Sequence, residues 1–160
     1  MRFLKTVRFD ASDERVFERA AAPEEWAVSG AFAFADLSPE TTRGTTRQAF
    51  ANGFLGLSSF GRSTFAVVTE AAAEEVAAIE DALAGHLVAA HGAPDIEAAR
   101  CAAREEIAFV GDLCRDAPIN TVFSVRRTWD RAGQIKEEFR TIRPPAGELP
   151  HAKIWTVVDD

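Results

Sequence analysis

The chain has 160 residues, 47% hydrophobic and 27% charged, with a net charge of −7, which suits one domain with a sizeable core. An acidic chain without a basic cluster is a poor match for nucleic acid, whose phosphates need a lysine and arginine surface. No apolar run reaches bilayer length, and Met1-Arg2-Phe3-Leu4-Lys5 alternates polar with apolar instead of building a signal-peptide core, so a cytoplasmic protein with no membrane contact is expected.

Residues 3–9 alternate as a strand, with Phe3, Val7 and Phe9 on one side and Arg2, Thr6 and Arg8 largely on the other. Residues 10–14 read as a polar turn. Residues 16–20 fit either a returning strand or a short helix opened by Ser12, and Pro23 ends either one. In residues 26–35 the run Ala31-Phe32-Ala33-Phe34-Ala35 alternates small with aromatic, as a strand packed on one face does. Trp26 stands at a loop-to-strand junction, where an aromatic fills a core or walls a pocket; core is the simpler reading. The pattern Glu25-Trp26-Ala27-Val28-x-Gly30-x-Phe32-x-Phe34, with the Phe3-Leu4-Lys5 strand, resembles a family of small uncharacterised proteobacterial proteins, a domain of unknown function. That resemblance covers the first quarter of the chain and implies no activity and no site.

Residues 41–60 are less regular and contain Gly44, Gly53 and Gly56, which favour a bend or a mobile loop. Residues 45–52 form a short helix stopped by Asn52-Gly53, and residues 63–69 a strand. Gly56-Leu57-Ser58-Ser59-Phe60-Gly61-Arg62-Ser63 has phosphate-loop spacing with arginine in place of lysine. A helix precedes it and a strand follows, the reverse of the order that aims backbone amides at a phosphate. Looser anion binding by Arg62 with Ser58 and Ser59 is what this leaves. The same stretch has Phe60 where a nucleophile elbow has its second glycine.

Residues 70–117 predict a helical hairpin. The first helix opens near Thr69 and carries Val76, Ile79, Leu83, Leu87 and Ala90 on one face until Gly92 and Pro94 stop it. Asp95 is the expected N-cap of the second helix, whose stripe is Ile96, Ala99, Ala103, Ile107, Val110 and Cys114. Ala98, Ala102, Phe109 and Leu113 form a second apolar strip beside it. The hairpin holds eleven acids against three bases, a net of −8, so its outer face is the electrostatically distinctive surface. Cys101 and Cys114 lie on different sides of that helix and are expected as thiols. Acidic neighbours argue against an activated Cys101.

Residues 121–129 and 135–143 predict a β-hairpin turned by Asp130-Arg131-Ala132-Gly133. Phe123, Val125 and Trp129 face Ile135 and Phe139, and Arg127 pairs with Glu137 across the strands. Pro144-Pro145 breaks the pattern, and residues 153–158 make a last strand.

The predicted architecture is α+β: a mostly antiparallel sheet of about six strands covered on one face by the two-helix hairpin, as a single domain 1–160. His86 and His91, five residues apart and roughly 140° around a helix, do not clamp one metal from a regular helix. His86 is read as a hydrogen-bonded residue at the edge of the apolar stripe. There is no CxxC, no HExxH and no assembled catalytic set, so no cofactor and no metal are expected. Two readings of function stand. One is a non-catalytic accessory protein docking its acidic helices on a basic protein partner, or self-associating as a homo-oligomer. The other is a small-molecule or anion-binding protein or enzyme, with a pocket between the sheet and the loop from Gly44 to Gly61, using Trp26, Arg47, Arg62 and His86.

Overall fold

The computed structural model describes residues 1–143 and 156–159. Its strands are β1 Arg2–Val7, β2 Trp26–Val28, β3 Phe54–Gly56, β4 Arg62–Ser63, β5 Phe65–Glu70, β6 Val122–Trp129, β7 Ile135–Arg143 and β8 Thr156–Asp159. They form one sheet in the order β4-β3-β2-β1-β5-β6-β7-β8 with every neighbouring pair antiparallel. The helices are α1 Ser12–Val16, α2 Gly44–Asn52, α3 Ala73–Ala90 and α4 Ile96–Cys114. The fold is α+β, with eight strands among the described residues where about six were expected. The excess comes from the glycine-rich stretch, whose residues 54–56 and 62–63 pair with each other. Of the last predicted strand, residues 153–155 lie outside the described residues, as do Pro144, Pro145 and His151.

The helical hairpin follows its periodicity except at Ala90 and Ile96, where one helix ends and the next begins, and at Ala98, Ala102 and Phe109 of the second strip, all of which are exposed. Ala99, Ala103, Ile107, Val110 and Cys114 are buried along α4, as are Ile79, Leu83, Ala84 and Leu87 along α3. Asp95 Oδ1 accepts from the Ala98 amide at 2.8 Å, the N-cap expected of it. The first helix starts later than Thr69, because Thr69 and Glu70 continue β5 and pair with Phe3 and Arg2 of β1. Glu75 instead accepts from the Ala72 amide at 2.9 Å and ties down the first turn of α3. Residues 12–16 take the helical alternative.

Ala31–Phe34 is a 3-10 helix and not a strand. Gly30, at φ 77°, turns the chain out of β2, and its carbonyl accepts from Arg62 Nη2 at 3.2 Å. Alternation alone could not report that contact. Phe34 is thereby buried and Phe32 left partly open. The β6–β7 hairpin has the predicted register, Trp129 opposite Ile135, Arg127 opposite Glu137 and Val125 opposite Phe139. The sheet curls strongly: Phe54 of β3 and Phe139 of β7, with four strands between them in sheet order, have ring centroids 6.2 Å apart. One end of that curl encloses charged groups.

Candidate functional site

Arg127 is 2% exposed and reaches from β6 to the carboxyl end of α2. Its Nη1 donates to the carbonyls of Phe50 at 3.0 Å and Gly53 at 2.8 Å, groups a helix end leaves without intrahelical partners. Nη2 donates to the Ser29 carbonyl, and Nε to Glu137 Oε2 at 2.9 Å. The Ser29 hydroxyl donates to the same Glu137 oxygen. Glu137 therefore faces inward from β7 with both of these bonds on Oε2.

Beside it lies a pocket of about 380 Å³ between α3, α4, β7 and the 3-10 helix, lined by Phe32, Leu87, Ala102, Glu105, Glu106, Phe109 and Glu137. Glu106 has no hydrogen-bond partner among the described residues. Burial, reinforced by the Glu137 charge and opposed by Arg127, pushes its carboxyl up to about 7. A carboxyl that exchanges its proton near neutral pH, in a concave and partly apolar pocket, is the arrangement of an acid–base or ligand-binding group. Glu106 thus lies half-buried in the pocket and apart from the hairpin's outer acidic face. Several others are engaged within the chain: Arg100 and Arg104 bind Glu80, Arg100 also binds Asp81, and Arg115 binds Asp112.

The four residues proposed from sequence do not converge. Trp26 packs against the core, edge-on to Phe3 with ring centroids 6.1 Å apart, and the Lys5 ammonium sits 4.4 Å from its ring centroid. Arg47 borders a separate depression with Phe50, Arg127 and Trp129. Arg62 walls a cleft of about 540 Å³ with Phe17, Glu18, Arg19, Phe34, Thr45, Thr46, Ala49 and Phe60. His86 stacks on Phe60, rings 3.8 Å apart, and so lies behind one wall of that cleft.

His86 and His91 do meet, their Nε2 atoms 3.1 Å apart, contrary to the helical estimate. His91 follows the last residue of α3 with φ −127° and ψ 17°, so its ring leaves the regular helical direction and returns toward His86. Burial, then the neighbouring positive charges, hold both imidazoles below the ordinary histidine value. At neutral pH the pair is uncharged, one ring nitrogen donating to the other. Among the described residues no group of three or more His, Cys, Asp or Glu is placed to hold a metal ion.

The phosphate-loop-like stretch already holds an anion, from its own chain. Glu25 Oε1 accepts from the amides of Ser58 at 2.9 Å and Ser59 at 2.7 Å. Its Oε2 accepts from the Ser59 hydroxyl at 2.7 Å and the Ala22 amide at 2.6 Å. Burial opposes this carboxylate's charge, but the Ser59, Ser58 and Ala22 donors outweigh it and hold Glu25 below the usual glutamate value. Ser58 and Ser59 thus have no amide to offer an outside anion, and Arg62 acts apart from them.

Glu106 and the buried side of Glu137 were not singled out from sequence, although Glu106 stands in the gap of the Ala98, Ala102, Phe109, Leu113 strip, where a helix of that pattern buries a side chain. No helix among the described residues is long and apolar enough to cross a membrane. No curated protein and no solved structure matches the sequence. The sequence matches the model of a family of unknown function, DUF6505, over residues 1–160, and the chain belongs to that family.

Proposed function

We propose that the protein binds a small organic base in the pocket between α4, β7 and the 3-10 helix, with Glu106 as the group that exchanges a proton with it. The observation that carries this reading is the Glu106 carboxyl, which lacks a hydrogen-bond partner among the described residues while facing a partly apolar pocket. Whether the base enters as the ammonium that predominates at pH 7, the carboxyl's proton going to solvent, or as the free amine, which takes that proton, the bound state is an ammonium beside the Glu106 carboxylate in a partly apolar space. Phe32 and Phe109 place aromatic rings in the lining beside the cation, and Leu87 and Ala102 give an apolar wall to its carbon body. Glu137, held by Arg127 and Ser29, adds a second carboxylate whose position is set before the ligand arrives.

This reading departs from the docking of acidic helices on a basic partner, because Glu80, Asp81 and Asp112 are engaged in ion pairs within the chain and Glu105 and Glu106 line the pocket. The direct test is thermal shift at pH 7 with benzylamine and cyclohexylamine as probes, on the wild type and on Glu106→Gln. Stabilisation of the wild type, reduced at least severalfold in the variant, is expected. Equal shifts in both proteins, or none in either, would remove the proposal.

A further inference from the structure

The Arg62 cleft lies apart from the Glu106 pocket, with no lining residue in common. We infer that it is a second binding site, for a small anion carried on a flat apolar body. Arg62 is 8% exposed, and its hydrogen bonds go to two neutral carbonyls, Gly53 at 3.2 Å and Gly30 at 3.2 Å. No carboxylate among the described residues lies within ion-pair distance of it. The charge that acts on it most is another cation, Arg127, which shares the Gly53 carbonyl. Burial and that repulsion bring the Arg62 guanidinium down to about 9. A buried cation with a like neighbour and no counter-charge is unfavourable by itself, and an anion in the cleft it walls is the partner it lacks.

The surroundings suit such a ligand. Arg19 adds an exposed guanidinium at the rim, anchored through the Ser59 carbonyl at 3.3 Å. Thr45 and Thr46, which line the cleft, lie in the first turn of α2, whose N-cap makes no side-chain hydrogen bond, so the positive end of a nine-residue helix borders that space. Among the described residues of the lining Glu18 is the one acid, set against two arginines. Phe17, Phe34 and Phe60 supply the apolar walls, and the Phe34 ring lies 4.6 Å from the Arg62 guanidinium carbon. The volume of about 540 Å³ admits a single aromatic ring with its anionic substituent and leaves room for a larger body.

Benzoate and phenyl phosphate, with benzyl alcohol as the uncharged control, test this by calorimetry and by amide NMR shifts at Thr45 and Thr46. Saturable binding of at least one anion is expected, with benzyl alcohol at least tenfold weaker. Arg19→Gln, on the exposed rim where folding is not at stake, is expected to weaken binding at least threefold, and Arg62→Lys at least tenfold. Glu106→Gln is expected to leave anion binding unchanged, so this test is independent of the amine pocket. Absence of saturable binding, equal affinity for benzyl alcohol, or full affinity in Arg19→Gln would overturn the inference. If Arg62→Lys does not fold, the rim variant and the uncharged control still decide.

Discussion

Glu106 occupies the place in α4 where the strip of Ala98, Ala102, Phe109 and Leu113 leaves room for one more apolar side chain. Arg127 and Glu137 do the same on their strands, standing between Val125 and Trp129 and between Ile135 and Phe139 on the inward face. Charged residues on apolar faces were therefore visible in the sequence. The pairing of Arg127 with Glu137 was legible as well, whereas the further partners of Arg127 were not, because Ser29, Phe50 and Gly53 are brought in from other elements. Glu106 has a consequence for stability. Its folded value of about 7 exceeds the ordinary 4.5, so the stability it contributes is present below pH 4.5 and lost as the pH rises to about 7. Above that, the folded protein carries a poorly solvated charge. Glu106→Gln cannot ionise and should be more stable than wild type at pH 8, by on the order of 2 kcal/mol after allowance for solvent, and no more stable at pH 4.5. Urea unfolding at the two pH values measures the difference; a gain equal at both would contradict this account of the carboxyl.

At the scale of elements, the two long helices and the β6–β7 hairpin were legible because each carries its own pattern: a stripe, an N-cap at Asp95, a turn at residues 130–133. The 3-10 helix and the short strands β3 and β4 were not, since they follow from tertiary contacts. Gly30 illustrates the point. Its φ of 77° belongs to the left-handed region, and a Cβ there would lie 2.6 Å from Leu55 Cβ and 2.7 Å from Arg62 Nη1. Gly85, inside α3, has open space where a Cβ would sit. Gly30→Ala should cost about 1–3 kcal/mol through strain and displacement of Arg62, whereas Gly85→Ala should gain about 0.5–1 kcal/mol through helix propensity. Melting temperatures moving in opposite directions are the expected result, and two changes of the same sign would speak against the described geometry.

For the whole molecule, Arg127 joins β6 to α2 and to the segment after β2, so it holds the curl of the sheet closed. Arg127→Leu leaves Glu137 buried without its cation and leaves the end of α2 unsatisfied, and should cost about 3–5 kcal/mol. Removing both charges with Arg127→Leu and Glu137→Leu should cost less than the sum of the two single changes, a coupling that a double-mutant cycle in denaturant reads directly. Strict additivity would mean that the pair does not act as a unit. The Gly53 carbonyl, shared by two guanidiniums, has a broader consequence. A chain whose overall charge is −7 buries two arginines, Arg62 and Arg127, and two acids, Asp13 and Glu25, among its described residues. Its kernel is thus balanced in charge while the surplus of acid is borne by the rind, and a solute probing the outside would meet a net negative sign that one admitted within would not.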